Sequence, residues 1–185
     1  MTDPIAAWHA EHEYFSRLLG MLENQVTVFH GGEQPNYELM RDIVFYLRNY
    51  CDQVHERRED AAFAILAARD PGRQIEINRL LQEHRVIAHA GAALLDLLEE
   101  IVGGAFVPRA QVEAAASTYL VYYRNHIASE ERQILPLAAQ LLNALDWKAV
   151  AGAAAPAVDP LRGSDPQERF RELRREISRE MQHGQ

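Results

Sequence analysis

Four stretches of the chain place buried-type residues at alternating steps of three and four, a spacing that suits long helices packed side by side and little else. The first runs Ile5, Trp8, His12, Phe15, Leu19, Leu22, Val26 and Phe29. The second runs Met40, Val44, Leu47, Cys51, His55, Glu59, Ala62 and Leu66. The third runs Ile77, Leu80, His84, Ile87, Gly91, Leu94, Leu98 and Ile101, and the fourth Val112, Ala116, Tyr119, Tyr123, His126, Glu130, Gln133 and Leu137. Gly/Pro punctuation at "HGGEQPN", "RDPG" and "GGAFVP" separates them, and no run of alternating β-branched residues suggests a sheet. Such short connections make successive helices antiparallel, so the expected fold is all-α, an up-down-up-down four-helix bundle.

Asp3 and Pro4 fit the N-cap and first position of the first helix. Pro136 is expected to kink or end the fourth, with "LAAQLLNAL" and a short segment near Asp146 and Trp147 closing one end of the bundle. The expected division is a bundle over residues 1–150, then a linker and charged amphipathic tail over 151–185. The tail helix opens on Asp165, Pro166 and Glu168 as a capping box and carries a thin stripe of Phe170, Leu173, Ile177 and Met181. Such a stripe normally seeks a partner, so the helix is expected to dock on the bundle, pair with a second copy or meet another protein, the alternative being that it stays mobile.

Composition narrows the partners. A net charge of −8 argues against nucleic acid or an anionic membrane, which favour a basic face. A single cysteine, Cys51, makes no internal disulfide, the N-terminus lacks a signal-peptide pattern, and no apolar run reaches bilayer length. The expected setting is cytoplasmic.

Polar residues interrupt the seams at His12, His55, Glu59, His84, His126 and Glu130. At 1.5 Å per residue, all six fall between about 9 and 20 Å from the same end of the bundle. Both His55/Glu59 and His126/Glu130 are four apart, so each pair stacks on one helix face. Two carboxylates from different helices can bridge a pair of cations that four imidazoles terminate, a donor set suited to iron, manganese or zinc. Four imidazoles and two carboxylates buried without a cation carry a large desolvation cost. Ferritin-like sites need Glu-x-x-His, and the residues three before His55, His84 and His126 are Asp52, Leu81 and Tyr123.

With "EHEYF" around His12, "HERRED" around His55 and Glu59, "QEHR" around His84 and "HIASEERQILP" around His126 and Glu130, the chain resembles the hemerythrin-like, HHE cation-binding family over roughly residues 3–150. That resemblance implies a non-haem di-iron site. Its terminal ligands would be His12, His55, His84 and His126, its bridges Glu59 and Glu130, with an oxo or hydroxo group between the irons. It also implies an open position for dioxygen, nitric oxide or peroxide. Four beyond His84 stands Ala88 where oxygen carriers have a second histidine, so the match is to the branch with four His and two Glu, similar to iron–sulfur-cluster repair proteins. No enzyme class follows. The rival reading is a regulatory or interaction module whose metal site is structural or absent.

Among neighbouring residues, Glu56 and Glu131 are candidates to hydrogen-bond the ligands. Cys51 reads as a small buried hydrophobe, and Tyr46, Tyr50, Tyr119, Tyr122 and Tyr123 as packing residues or the lining of a ligand channel. His9, His30, His89 and His183 read as surface or boundary residues.

Overall fold

The computed structural model describes residues 3–154, 159, 161 and 170–183. Helix α1 (Pro4–His30) begins as its sequence predicts: the Asp3 carboxylate accepts the Ile5 N–H at 3.0 Å and Pro4 takes the first turn. The second rod is continuous from α2 (Tyr37–Tyr46) through a π-helical segment (Leu47–His55) into α3 (Glu56–Arg69). Asn36 caps its start by accepting the Leu39 N–H at 3.0 Å. The third rod is α4 (Gln74–Val102). The fourth is α5 (Arg109–Ser129), a π-helical turn (Glu130–Ile134) and α6 (Leu135–Leu141). Around the bundle α1 touches α2 and α5, and α4 touches α2, α3 and α5, so each rod has two lateral neighbours. No strand occurs among the described residues, and no helix described is long and apolar enough to cross a membrane.

The two π segments are where the structure refines the sequence pattern. In the second rod the stripe Leu47, Cys51, His55, Glu59 advances by four three times in succession. An α-helix would rotate that stripe by about 40° per step. Wider winding absorbs the drift: the Glu56 N–H bonds the Cys51 carbonyl five residues back, and Leu47, Cys51, His55 and Glu59 are all buried.

The fourth rod departs from expectation. Its sequence pattern puts Gln133 on the seam, yet Gln133 is exposed and Ile134 is buried in its stead. The π turn moves the seam on by one residue, with the Leu135 N–H reaching the Glu130 carbonyl. Pro136 does not end the rod; it is the second residue of α6, with Leu135 between it and the π turn. A π turn beside a proline is a recognised way to relieve the clash with the preceding turn.

The polar level divides the interior into two apolar clusters. One holds Phe15, Leu19, Leu22, Met40, Val44, Leu47, Ile87, Leu94 and Tyr119 among others. The other holds Trp8, Phe63, Leu66, Ile77, Leu80, Leu135 and Ala138. Helix α7 (Ala144–Ala153) closes the second cluster, started by a capping box between Asn143 and Asp146. Arg69 pairs with Asp146 at 2.5 Å, and Trp147 meets Trp8 edge-on with ring centroids 5.3 Å apart.

The tail packs on its own chain. Phe170 and Leu173 are buried, and Ile177 is partly buried, against the first cluster. Phe170 and helix α8 (Arg171–His183) sit beside α2, where the Phe170 ring lies 6.0 Å from Phe45 and 6.2 Å from Tyr46. The Tyr46 hydroxyl donates to Asp159 at 3.2 Å. The proposed Asp165–Pro166–Glu168 cap and the Met181 side chain lie outside the described residues.

Because Leu173 is fully buried, Leu173→Ala should lower the unfolding free energy by about 2–5 kcal/mol, the usual result of emptying a leucine site. Urea titration followed by circular dichroism measures it; a loss below about 0.5 kcal/mol would mean the tail is not part of the core.

Candidate metal centre

Each rod contributes to one level of the bundle. His12 stands between Trp8 and Phe15 on α1, His55 ends the first π segment, Glu59 follows on α3, and His84 sits on α4. His126 lies near the end of α5 and Glu130 opens the second π turn. All six are at most 5% exposed. The structure brings them together as two groups that share Glu59: His12, His55 and Glu59, and Glu59, His84, His126 and Glu130.

Both carboxylates reach across. Glu59 Oε1 lies 2.7 Å from His55 Nε2 and 3.3 Å from His12 Nε2, while its Oε2 lies 3.5 Å from His84 Nε2. Glu130 Oε2 lies 3.5 Å from His12 Nε2, and its Oε1 3.3 Å from His126 and 3.8 Å from His84. The four histidines thus form two pairs, with one carboxylate oxygen turned toward each.

A second set of carboxylates orients the imidazoles. His12 Nδ1–H donates to Glu131 at 2.7 Å, His55 to Glu11 at 2.5 Å, His84 to Asp60 at 2.9 Å and His126 to Glu83 at 3.1 Å. These bonds run around the bundle in a closed circle. Glu11 on α1 holds the histidine of the second rod, Asp60 on α3 that of the third, Glu83 on α4 that of the fourth, and Glu131 on the fourth that of α1. Three of them are themselves gripped by cationic or imidazole groups: Glu11 by Arg58 at 2.6 Å, Glu83 by Arg79 at 3.3 Å, and Glu131 by His9 at 2.5 Å.

Because every Nδ1 already donates to a carboxylate, each neutral imidazole turns the lone pair of its Nε2 inward. Two consequences bear on metal. His12 Nε2 and His55 Nε2 face each other at 2.9 Å, an approach that neutral rings tolerate only with a positive centre between them. Glu59 Oε2, His84 Nε2, His126 Nε2 and Glu130 Oε1 are buried without a hydrogen-bond partner among the described residues. Buried polar atoms are almost always partnered, and donors about 2.1 Å from a common ion lie about 3 Å apart, near the separations seen here. The donor set fits a bound cation.

The electrostatics agree. Burial opposes charge on His55, yet the Glu59 and Glu11 carboxylates prevail and raise it to about 10. Burial likewise opposes charge on His126, which Glu130 and Glu83 lift to about 9. His84 and His12 are also raised against burial, by Asp60, Glu130 and Glu59 in one case and chiefly by Glu59 in the other. Glu59, despite burial, is held well below the usual carboxylate range by His55 and its neighbours. The cluster is an interior built for positive charge.

Sequence reasoning singled out Glu131 and missed Glu11, Asp60 and Glu83. The available signal was adjacency, since each stands beside a seam residue: Glu11–His12, Glu59–Asp60, Glu83–His84 and Glu130–Glu131. Glu56 is not one of the Nδ1 acceptors; burial, together with the Glu59 charge and despite nearby histidines, raises its carboxyl to about 7. Cys51 is fully buried and its thiol is pushed well above its usual value by that burial. His89 is exposed, Tyr122 is on the surface, and the His30 and His183 side chains lie outside the described residues.

The raised imidazoles dictate a pH dependence for metal-free protein. The folded chain keeps protons that the unfolded chain releases above about pH 6.5. Their stabilisation is therefore complete below that value and is lost as pH rises through about 9 to 10. Chelator-treated protein should melt at progressively lower temperature from pH 6.5 to 10. A bound cation, replacing those protons, should flatten the profile.

Comparison with known proteins bears on the same residues. Neither the curated proteins nor the solved structures gave a match. The family model described as the hemerythrin HHE cation binding domain matches residues 3–138, a span that contains the first three rods, the fourth as far as Ala138 in α6, both π segments and every residue of the buried His/Glu group. The chain belongs to the hemerythrin HHE cation-binding domain family.

Proposed function

We propose that the protein holds two non-haem iron ions and uses them to bind or sense a small diatomic or peroxide species, or to handle iron. His12 and His55 would hold one ion, His84 and His126 the other, with Glu59 and Glu130 bridging them. The carrying observation is the set of inward ligand atoms that no described residue satisfies, Glu59 Oε2, His84 Nε2, His126 Nε2 and Glu130 Oε1, together with the opposed Nε2 atoms of His12 and His55. Such a centre supplies a redox-active metal pair with a position left for an exogenous ligand. Manganese or zinc would suit the same nitrogen and oxygen donors, and zinc would make the site a brace.

The chain's own residues do the remaining work. The Glu11, Asp60, Glu83 and Glu131 carboxylates fix each imidazole by its Nδ1–H, which keeps Nε2 free to ligate and makes it more basic. Trp8 and Phe15 flank His55, with ring centroids 6.1 and 5.0 Å away, and Phe63 stacks on His84 at 5.8 Å. These rings exclude water and lock the rotamers. Residues 1–150 form the cation-holding bundle in this reading, and within 151–185 Phe170 and α8 brace the α2 side of it.

Elemental analysis of the purified wild type should find about two metal ions per chain. His126→Ala and Glu130→Ala should each lose metal, and the wild type should show di-ferric absorption that responds to reductant, nitric oxide or peroxide. A colourless bundle, unchanged by chelator and equal in all three proteins, would favour the interaction module over the metal centre. Asp60→Asn and Glu83→Gln, which leave the six inward residues intact, should weaken metal affinity about 10- to 100-fold, read by competition with a chromogenic chelator.

A further inference from the structure

Beside the buried seam of the second rod runs a second stripe, displaced by one residue: Arg48, Asp52, Glu56 and Asp60. Residues four apart drift around an α-helix by about 40° per step. The π winding over Leu47–His55 counters that drift, so the stripe stays aligned toward α4 and α5. Its far end is Asp60, which receives His84 Nδ1–H at 2.9 Å. Its near end is Arg48, partly open to solvent.

This stripe is polar where a helix interface is ordinarily apolar, and two of its polar atoms are unmatched among the described residues. Arg48 Nε and Asp52 Oδ1 are buried with no hydrogen-bond partner among the described residues, and so is the hydroxyl of Tyr119, a residue with no exposed surface. Two of these side chains converge on Gly91 of α4. A Cβ there would lie 2.9 Å from Tyr119 Cε2 and 3.0 Å from Arg48 Cδ, so glycine lets them meet. Asp52 feels the charges of Glu56, Arg48 and His84 together, which puts the line from Arg48 to the His84 side of the centre within electrostatic reach.

Donors (Arg48 Nε–H and Tyr119 O–H) and an acceptor (Asp52 Oδ1) left unmatched in one place are satisfied by water-sized hydrogen-bonding molecules. We propose that the Arg48–Asp52–Glu56 stripe, together with Tyr119, is a hydrated route by which water and hydrogen peroxide reach the His84/His126 side of the centre. Hydrogen peroxide must give up its hydration to enter a protein interior, a cost that matched donors and acceptors offset. Dioxygen and nitric oxide carry little hydration and gain nothing from such a lining. The route therefore selects peroxide over the diatomic gases. It rests on the di-metal reading above for its destination, though its hydration does not.

Two measurements test it. In the metal-free wild-type chain, a high-resolution crystal structure should show ordered waters bonded to Arg48 Nε, Asp52 Oδ1 and Tyr119 Oη; a dry cluster overturns the inference whatever the metal content. In iron-loaded protein, stopped-flow absorption should show the hydrogen peroxide reaction slowed about three- to tenfold in Asp52→Leu and in Tyr119→Phe, with nitric oxide binding unchanged. Asp52→Asn, which keeps an acceptor oxygen, should stay near wild type. Equal slowing of peroxide and nitric oxide, or no slowing of either, overturns the selectivity. Iron content is measured in each variant. Absence of iron from the wild type would overturn the di-metal reading alone, while waters on the three atoms would still uphold the hydrated stripe.

Discussion

The whole molecule is organised around a layer in which four imidazoles and two carboxylates point at one another out of reach of water. Such a layer is costly unless charge is balanced within it. Two devices supply the balance. Glu59 and Glu130 face the imidazoles directly, and four outer carboxylates hold the far side of each ring. With the outer contacts made, the inner nitrogens are committed to a cation, be it a proton or a metal. Every rod must then stand at the right height and rotation, because each both gives a ligand-type residue and holds a neighbour's.

That circular arrangement explains features of the fold that packing alone does not require. The π segments occur at the two places where a histidine and a glutamate four apart must face the interior while apolar residues on either side remain buried. Above and below the layer, separate apolar clusters supply the stability that the polar level does not. Helix α7 seals one end through Trp147 on Trp8. On the α2 side, Phe170, Leu173 and the Asp159–Tyr46 hydrogen bond press on the residues that lead into the first π segment. The tail therefore contacts the rod that carries His55 and Glu59.

Much of this was legible before the fold was known. Steps of three and four gave four helices, and interruption of the seams at His12, His55, Glu59, His84, His126 and Glu130 marked the residues that the structure gathers. Those signals are local: a residue's side of a helix follows from its number along the chain. Where winding departs from 3.6 residues per turn the same rule misplaces residues, as it did at Gln133 and Ile134 beyond the second π turn. Glu11, Asp60 and Glu83 escaped for another reason. On its own helix each is a charge at the edge of the buried face, indistinguishable from a solvated one.

The helices, their order and the inward set of histidines and glutamates follow from residue order alone, because burial periodicity is written in successive residues. Helix packing decided which carboxylate meets which imidazole, since Glu11 and His55, or Glu131 and His12, come together through the lateral contact of different rods. It also decided that the tail folds back on α2, and that Arg48 and Tyr119 meet over Gly91. In each case the deciding quantity is the distance between groups on separate helices, which helix packing sets.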